Sequence, residues 1–155
     1  MTYEQVAVMR RRMPAIRNFA LALGLALAGP VFAQGSHTYT FASVLANQWI
    51  YAPVTLSKGE QVKIYAGGYA AWGLYDTRVT IVTPKGHVGQ YGSDFTAPDC
   101  YEFSLIARIG DDGTPFCVYD TLAFKATSDG PLELTMNDDN YIDNRGAWSA
   151  WIITP

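Results

Sequence analysis

The side chains with the clearest capacity for chemistry lie in one short segment near the end of the chain, residues 137–144. Six of its eight residues carry an amide or carboxylate oxygen: Asn137, Asp138, Asp139, Asn140, Asp143 and Asn144. Hard cations such as Ca²⁺ select oxygen ligands of this kind, and a divalent ion relieves the mutual repulsion of three carboxylates. The segment lacks the glycine and the closing glutamate of an EF-hand, which excludes that motif. It therefore predicts a metal-binding loop, with an ordinary polar turn as the alternative.

The first 33 residues have the pattern of an export signal. Arginines at positions 10–12 and 17 precede an apolar run over residues 19–28, and the triplet Val31-Phe32-Ala33 supplies the small residues that a signal peptidase reads. The run is shorter than the ~20 residues that a membrane-spanning helix requires. We therefore expect a signal peptide over residues 1–33, cleaved after Ala33. The mature protein, residues 34–155, is then secreted or periplasmic and has no membrane span.

The composition of residues 34–155 excludes nucleic acid as a partner. The segment is long enough for one domain with a hydrophobic core. Of the chain's 11 Lys and Arg and 14 Asp and Glu, the signal segment holds four Arg and one Glu, so the mature domain has a net charge of −6. Phosphate binding depends on clustered basic residues, and here they are few and scattered.

The chain has two cysteines, Cys100 and Cys117. Export to an oxidising compartment favours a disulfide between them, which would stabilise the fold by ~3 kcal/mol in the chain-entropy model. The alternative is that both are small buried apolar residues.

Hydrophobic and polar residues alternate in several segments, as in half-buried β-strands. Turns with glycine or proline separate these segments, which recur about every ten residues. This spacing predicts an all-β fold, an antiparallel β-sandwich or jelly roll. The apolar positions predicted to share a face within each strand are Val62, Ile64 and Ala66; Val79 and Ile81; Leu122, Phe124 and Ala126; and Leu132, Leu134 and Met136.

The sequence also predicts where the aromatic side chains lie and marks one long loop as a candidate functional segment. We expect most aromatic side chains in the core; in the last strand Trp148 shares a face with Ala150 and Ile152, whereas Trp151 points to the opposite face. Residues 86–100 form the longest stretch without strand character, and loops of this length are often functional. This loop contains His87, one of two histidines.

Four segments in order resemble the PA-IL-like family, galactose-binding and calcium-dependent bacterial lectins. They cover nearly all of the mature chain. The resemblance implies a β-sandwich of the galactose-binding-domain-like type that binds one Ca²⁺ at its end, where two sugar hydroxyls complete the coordination of the metal. The four segments are Val44-Leu45-Ala46-Asn47, Gly68-Tyr69-Ala70-Ala71-Trp72-Gly73, residues 105–113 and residues 137–152.

The resemblance also implies individual roles. The calcium ligands would be side-chain oxygens of Asp138, Asp143 and Asn144, with backbone carbonyls of Trp72 and Asn140. The family holds the primary hydroxyl of the sugar with a His and a Gln three residues apart, and His87 and Gln90 have this spacing. Its tetramers imply a homo-oligomer. The full set of implied sugar contacts is His87, Gln90, Asp138, Asp139, Asn140 and Asp143.

Three departures from the family pattern leave the identity of the sugar open. The segment 138–144 is shorter than in the galactose-binding type member, which affects the sugar contact of Asn140. Asp143 stands where an Asn is expected, so it adds charge for Ca²⁺ but removes an N–H donor for the sugar. Trp72 replaces a Tyr, which leaves a backbone ligand intact but alters the wall of the pocket.

The sequence does not favour an enzyme, because it has no nucleophile elbow, no zinc-type histidine cluster and no His beside a plausible Ser nucleophile. It predicts a secreted or periplasmic Ca²⁺-dependent lectin, with a galactose-type sugar as the first choice of ligand. The alternative is a structural or protein-binding β-sandwich in which calcium only stabilises the loop.

Overall fold

The computed structural model describes residues 36–73 and 79–155, so the predicted signal peptide lies outside the described residues. These form nine β-strands and one short 3₁₀-helix, Tyr141–Asp143. The strands are β1 (Thr38–Leu45), β2 (Ile50–Leu56), β3 (Gln61–Trp72), β4 (Thr80–Val82), β5 (Leu105–Ile109), β6 (Phe116–Cys117), β7 (Thr121–Lys125), β8 (Gly130–Met136) and β9 (Arg145–Thr154). Within these residues, no helix has the length and apolarity needed to cross a membrane.

The strands form two antiparallel sheets, which confirms the predicted β-sandwich. The five-stranded sheet has the order β1-β9-β3-β4, and β7 pairs with the first half of β3. The four-stranded sheet has the order β2-β8-β5-β6. The first strand, β1, pairs with the last strand, β9, in the five-stranded sheet.

The core lies between the two sheets, where the alternating apolar residues meet. On the five-stranded sheet Ile64, Ala150 and Ile152 are fully buried, and on the four-stranded sheet Leu132 and Leu134 are. Trp148 is also buried in this core, and its indole N–H donates to the carbonyl of Val82 at 3.2 Å. Because Trp151 is exposed, the predicted division of the two tryptophans between the faces of β9 is confirmed.

Val79 and Ile81, the apolar positions predicted to share a face, are both exposed and do not face the core. Ile81 pairs with Ala71 and Val82 pairs with Ala70, which is buried. Directly paired residues point to the same side of a sheet, so Val82 faces the core and Ile81 faces outward. Val79 is exposed as well.

The prediction that most aromatic side chains lie in the core is wrong. Among the described residues, the buried core contains Phe103 and Trp148, whereas seven aromatic residues are exposed. Aromatic residues fit the pleated surface of a strand on either face, so their abundance in strands does not by itself place them inside. The exposed seven are Tyr39, Phe41, Tyr51, Tyr65, Tyr69, Tyr91 and Trp151.

The outer face of the four-stranded sheet is covered by loops. Glu133 and Thr135 point outward from β8 yet are buried, and the Thr135 hydroxyl donates to the carbonyl of Gln48 at 3.0 Å. A second, smaller hydrophobic cluster lies here, formed by Ala97, Cys100 and Ile106 with Trp49 and Cys117 against them. Cys100 and Cys117 are bonded, which confirms the disulfide and fastens the long loop to β6.

Candidate functional site

The predicted metal loop lies at one end of the sandwich, where several strand ends meet. β8 ends at Met136, the 3₁₀-helix spans Tyr141–Asp143, and β9 begins at Arg145. The N–H of Ala46, just after β1, donates to the carbonyl of Gly146 at 3.1 Å. Near the end of β3, Ala71 pairs with Arg145. The loop is therefore held between fixed strand ends.

Asn137 anchors this loop to the long loop before β5. Its side chain is fully buried, and its amide oxygen accepts the N–H of Ala97 at 2.8 Å. Its amide nitrogen lies 3.0–3.3 Å from the carbonyls of Ala97, Cys100 and Tyr101. Since these bonds occupy the amide oxygen, Asn137 positions the site and does not serve as a metal ligand.

Asp138 and Asn144 are brought into direct contact. The Asn144 amide donates to Oδ2 of Asp138 at 2.7 Å and lies 3.1 Å from the carbonyl of Ala46. Oδ1 of Asp138 accepts the N–H groups of Asp139 at 2.7 Å and Asn140 at 3.2 Å. Burial raises the pKa of Asp138 to about 6 despite these bonds. Within the described chain, no Lys, Arg or His side chain pairs with this carboxylate.

Asn144, which contacts Asp138, has a buried amide oxygen without a hydrogen-bond donor among the described residues. Oδ1 of Asn144 is buried and accepts no hydrogen bond in the described part of the protein. A buried carboxylate without a counterion and a buried amide oxygen without a donor are both costly. A hard cation bound between them would satisfy both, so these residues fit a Ca²⁺ ion.

The proposed donor set is poor in charged groups. The described residues contain no group of three or more His, Cys, Asp and Glu side chains arranged to hold a metal. Only two of the five predicted ligands, Asp138 and Asp143, are carboxylates, and the others are amide and carbonyl oxygens. Calcium accepts such mixed oxygen sets, whereas zinc sites are built from His and Cys.

The remaining loop residues are arranged around the 3₁₀-helix. Asn140 is exposed and caps this helix, its side-chain oxygen accepting the N–H of Ile142 at 3.3 Å. Its side chain is thus engaged, which leaves the backbone carbonyl for the ligand role that the resemblance implies. Asp143 is half-buried at the end of the helix, directly before Asn144, and Asp139 is exposed. The structure therefore gathers all the predicted ligands in residues 138–144 within one turn and its flanks.

Trp72 reaches the site from the neighbouring strand. It is the last residue of β3, and the register Ala71 to Arg145 extends by one residue to set Trp72 opposite Asn144. Its indole stacks on Phe103 with ring centroids 4.0 Å apart and an interplanar angle of 2°. The backbone of Trp72 thus lies beside the metal loop, while its ring forms an aromatic wall with Phe103.

His87 packs against this aromatic wall. Its ring lies edge-on to Trp72 and Phe103, with centroids 5.7 and 5.0 Å apart. Nδ1 is buried, 3.9 Å from Oε2 of Glu102, and the backbone N–H of His87 donates to the Glu102 carbonyl at 2.8 Å. Since Nδ1 faces inward, Nε2 is the ring nitrogen left for a ligand.

Gln90 follows His87 in a tight turn. The N–H of Gln90 donates to the carbonyl of His87 at 3.0 Å, and Gly89 between them has a φ of +82°. The three-residue spacing is therefore that of the first and last positions of a β-turn, whose α-carbons lie within about 7 Å. Gln90 is exposed, so its side chain is free to move toward a ligand beside His87.

Several residues of the site carry no signal in the sequence. Phe103 has a φ of +56°, an uncommon conformation for a bulky residue, and its N–H donates to the carbonyl of Asn137 at 2.8 Å. The Thr96 hydroxyl donates to the carbonyl of Asp138 at 2.8 Å and lies 2.8 Å from the hydroxyl of Tyr141. These residues join the site only through folding of the long loop, so no spacing in the sequence marks them.

Comparison with known proteins agrees with this architecture. No protein-family model and no curated protein matches the sequence. Among solved structures, the N-terminal domain of EclA, a PllA-like lectin, superposes with a TM-score of 0.59 and 25% sequence identity. The match covers 75% of this chain and 96% of that domain. Sequence motifs, fold and this structural match converge, and the chain is related to the PA-IL-like lectins.

Proposed function

We propose that this protein is a Ca²⁺-dependent lectin that binds a sugar at the end of the sandwich formed by residues 138–144, Trp72 and His87. The observation that carries the proposal is the buried pair of Asp138 and Asn144. Its carboxylate has no counterion and its amide oxygen has no donor among the described residues. The relation to PA-IL-like lectins supports carbohydrate binding in general, and the oxygen set supports calcium.

Each part of the site has a distinct task in this mechanism. Side-chain oxygens of Asp138, Asp143 and Asn144, with the carbonyls of Trp72 and Asn140, would hold the ion. A bound Ca²⁺ supplies a hard cationic centre to which two adjacent sugar hydroxyls coordinate. The Asn137 amide and the Thr96 hydroxyl hold the loop in place by hydrogen bonds within the protein.

His87 and Gln90 would orient the sugar by directional hydrogen bonds beside the metal. The ring of His87 packs edge-on against Trp72 and Phe103 with Nδ1 buried, so Nε2 would be the nitrogen presented to a hydroxyl. Trp72 and Phe103 form the apolar wall beside this imidazole. Polar groups of this kind would fix the orientation of the sugar and provide specificity.

The identity of the sugar depends on the shorter loop and on Asp143. An ionised carboxylate accepts hydrogen bonds but donates none, so a hydroxyl at Asp143 must act as the donor. A galactose-type sugar is our first choice, and fucose and mannose also offer suitable pairs of adjacent hydroxyls. A shallow site of this kind predicts a dissociation constant between roughly 1 μM and 1 mM. Useful avidity then requires several sites on one particle, in line with the expected homo-oligomer.

The proposed location is outside the cytosol. The Cys100–Cys117 bond is typical of proteins from oxidising compartments, and it agrees with an export signal over residues 1–33. Intact mass spectrometry of the protein from the producing cell tests this, because cleavage after Ala33 leaves a chain that begins at Gln34.

A glycan array repeated with and without EDTA tests the function. We expect binding to at least one glycan in calcium and none after chelation. Calorimetry on metal-stripped protein should show a saturable Ca²⁺ site that Asp138→Ala abolishes. Asp112→Ala, an exposed acidic residue in the turn after β5, serves as the control and should bind Ca²⁺ normally. Glycan binding that survives EDTA would refute the metal-bridged mechanism.

One observation favours a second function, in which calcium only stabilises the fold. Asn137 and Thr96 tie the metal loop to the long loop, so an ion there would strengthen that junction without any sugar. In that case calcium should raise the melting temperature while no glycan binds. The array and a thermal melt together separate the two functions.

A further inference from the structure

The two buried ligands of the candidate calcium site are attached to different parts of the fold. Asp138 lies two residues after the end of β8, in the four-stranded sheet, whereas Asn144 directly precedes β9, in the five-stranded sheet. The Asn144 amide donates to the carbonyl of Ala46 at 3.1 Å, and the Ala46 N–H donates to the carbonyl of Gly146 at 3.1 Å. These bonds fix Asn144 to β1 and β9. The position of Asp138 depends on other contacts.

The segment that holds the Asp138 side of the site begins with a turn in the long loop. Residues 97–100 form a β-turn, in which the N–H of Cys100 donates to the carbonyl of Ala97 at 2.9 Å. Pro98 occupies the second position, where its fixed φ is favoured. The side chain of Asn137 contacts both ends of this turn, at the Ala97 N–H and at the Cys100 carbonyl.

The backbone beside Asp138 is bound to the same segment. The N–H of Asn137 donates to the carbonyl of Ser104 at 2.7 Å, and its carbonyl accepts the N–H of Phe103 at 2.8 Å. The carbonyl of Asp138 accepts both the N–H and the hydroxyl of Thr96, at 3.3 and 2.8 Å. Any movement of residues 96–104 is therefore transmitted to Asp138.

The disulfide fastens this segment to the four-stranded sheet. Cys100 is bonded to Cys117 in β6, and Cys117 pairs with Ile106 in β5. The apolar cluster around the bond is small, with Ala97, Cys100 and Ile106 as its buried members. So small a cluster buries little apolar surface, and the covalent bond is therefore the main restraint on the Cys100 end of the turn.

The disulfide can be reached from solvent through Cys117. Cys117 is half-buried and lines two surface hollows, of about 330 and 430 Å³, one beside the turn and one beside Phe116 and Phe124. Cys100 is only 2% exposed. A thiol from outside therefore attacks the sulfur of Cys117.

We propose that the Cys100–Cys117 disulfide is a positioning element of the calcium site and that its reduction lowers calcium affinity in a folded protein. This inference rests on the proposed function of the loop. The disulfide holds the turn, the turn holds Asn137, and Asn137 keeps Asp138 against Asn144. When the disulfide is cut, Asp138 moves with the turn while Asn144 stays on the five-stranded sheet. Affinity falls because both ligands must lie within ~2.6 Å of the ion at once.

The reaction is thiol–disulfide exchange with a dithiol reductant. A thiolate of the reductant attacks Sγ of Cys117, forms a mixed disulfide and expels Cys100 as a thiolate, which takes up a proton. The second thiol of the reductant then attacks the mixed disulfide, and Cys117 leaves as a thiol. The protein gains two electrons and two protons, and the reductant becomes a cyclic disulfide. Reoxidation restores the site.

Calorimetry on metal-stripped protein, oxidised and reduced with dithiothreitol, tests the proposal. We expect reduction to raise the calcium dissociation constant by roughly tenfold, within the range usual for coupled sites. The double variant Cys100→Ala with Cys117→Ala should show the same rise without any reductant. Circular dichroism should show that both forms remain folded, and unfolding on reduction would overturn the proposal.

A matched core variant separates positioning from a general loss of stability. Ile64 is fully buried on the five-stranded sheet, on β3. Ile64→Ala should lower the midpoint of urea unfolding, as the double cysteine variant does, yet leave the calcium dissociation constant unchanged. If Ile64→Ala weakens calcium binding as much as reduction does, the effect belongs to overall stability and the proposal is wrong.

Asn137→Ala tests the route from the disulfide to the ligand. Reduction should change calcium affinity much less in this variant than in the parent protein, because the contact between turn and loop is missing. Thr96→Val removes only the hydroxyl bond to Asp138 and replaces Asn137→Ala if that variant does not fold. An undiminished effect of reduction in the folded variant would contradict the route.

The coupling must also appear in the redox equilibrium, because linkage between two sites is reciprocal. Saturating calcium should make the disulfide harder to reduce by the same factor, as measured by alkylation and intact mass in dithiothreitol redox buffers. A calcium dissociation constant that reduction leaves unchanged overturns this proposal while the lectin function stands. An oxidised protein that binds no calcium at all refutes the proposed function and this proposal with it.

Discussion

The two outer faces of this sandwich differ most clearly in one cross-strand row on each. On the four-stranded sheet, Tyr51, Glu133 and Arg108 lie side by side on β2, β8 and β5. On the five-stranded sheet the corresponding row consists of Phe41, Trp151 and Tyr65 on β1, β9 and β3, and we call it the aromatic ridge. In this polar row Glu133 is buried and Arg108 is half-buried, although Tyr51 is exposed, whereas all three side chains of the aromatic row are exposed. The Glu133 carboxylate, which an isolated strand would put in water, is buried, whereas aromatic side chains that it would bury are exposed.

The difference teaches that neighbouring segments decide burial as much as side-chain type does. Glu133 is acceptable inside because Arg108 donates to its carboxylate at 2.8 Å and lies 4.3 Å over the ring of Trp49. The covering segments are held by the disulfide and by Asn137. No such segment in the described chain crosses the aromatic ridge, so its side chains stay exposed.

The largest expected change in the free energy of unfolding comes from a substitution in the polar row. Arg108→Ala leaves the buried Glu133 carboxylate without its partner, and this should cost ~3 kcal/mol or more in the free energy of unfolding. The matched variant on the bare face, Lys63→Ala, removes only an exposed cation–π contact and should cost less than ~1 kcal/mol. Urea denaturation of both variants measures the difference. Equal losses would contradict the contrast between the two faces.

The next largest effect should come from the disulfide. Replacing both Cys100 and Cys117 by Ala should reduce the free energy of unfolding by ~3 kcal/mol, as expected for a closed loop of this size. Amide hydrogen exchange should then accelerate over residues 96–104, which cover the four-stranded sheet, and much less over β1 and β9. Uniform acceleration over both sheets would show that the covering segments are not a separate unit.

Calcium should stabilise the protein somewhat less than the disulfide does, and it should do so near the four-stranded sheet and not along the aromatic ridge. A ligand that binds only the native state stabilises it by ~2.7 kcal/mol at a hundredfold excess over its dissociation constant. Asn137 and Thr96 connect the metal loop to the long loop, so calcium should slow exchange at residues 96–104 and 137–144. Exchange along the aromatic ridge should not change. Asp138→Ala removes the effect if the loop is the calcium site, and an effect that persists in this variant places the ion elsewhere.

The smallest expected effect is the pH dependence of the stability that the hydrogen bond between Tyr51 and Asp111 contributes. Tyr51 donates to the Asp111 carboxylate, and this bond raises the pKa of Tyr51 above 10.0 and lowers the pKa of Asp111 below 3.8. The bond therefore stabilises the fold between these values: its contribution is lost as pH falls through the lowered pKa of Asp111. It is lost again as pH rises through the raised pKa of Tyr51.

Spectrophotometric titration of the tyrosines tests this. Asp111→Asn should move the pKa of Tyr51 down toward 10.0, and Tyr51→Phe identifies which transition belongs to this residue. A Tyr51 titration that is the same in Asp111→Asn and the parent protein would show that the bond is absent in solution.

Much of the fold and part of the site could be predicted from the sequence. Period-two alternation places Val62, Ile64 and Leu134 on core-facing sides correctly, because the side chains of a strand alternate whatever its neighbours are. The oxygen-rich segment 137–144 likewise stands out by composition. The same alternation does not tell that Val79 and Ile81 face outward, because β4 is short and its register on β3 decides which parity faces inward.

The sequence by itself determined the strands, the oxygen-rich composition of residues 137–144 and the resemblance to PA-IL-like lectins, since each depends on residue types at short spacing. Only the tertiary structure decided that Asn137 is an anchor, that Phe103 stacks on Trp72, and which outer face is covered. Those facts depend on contacts between residues tens of positions apart, such as the bonds of Asn137 to the long loop. Local pattern tells which side chains share a face, and only the packing of distant segments decides what lies against that face.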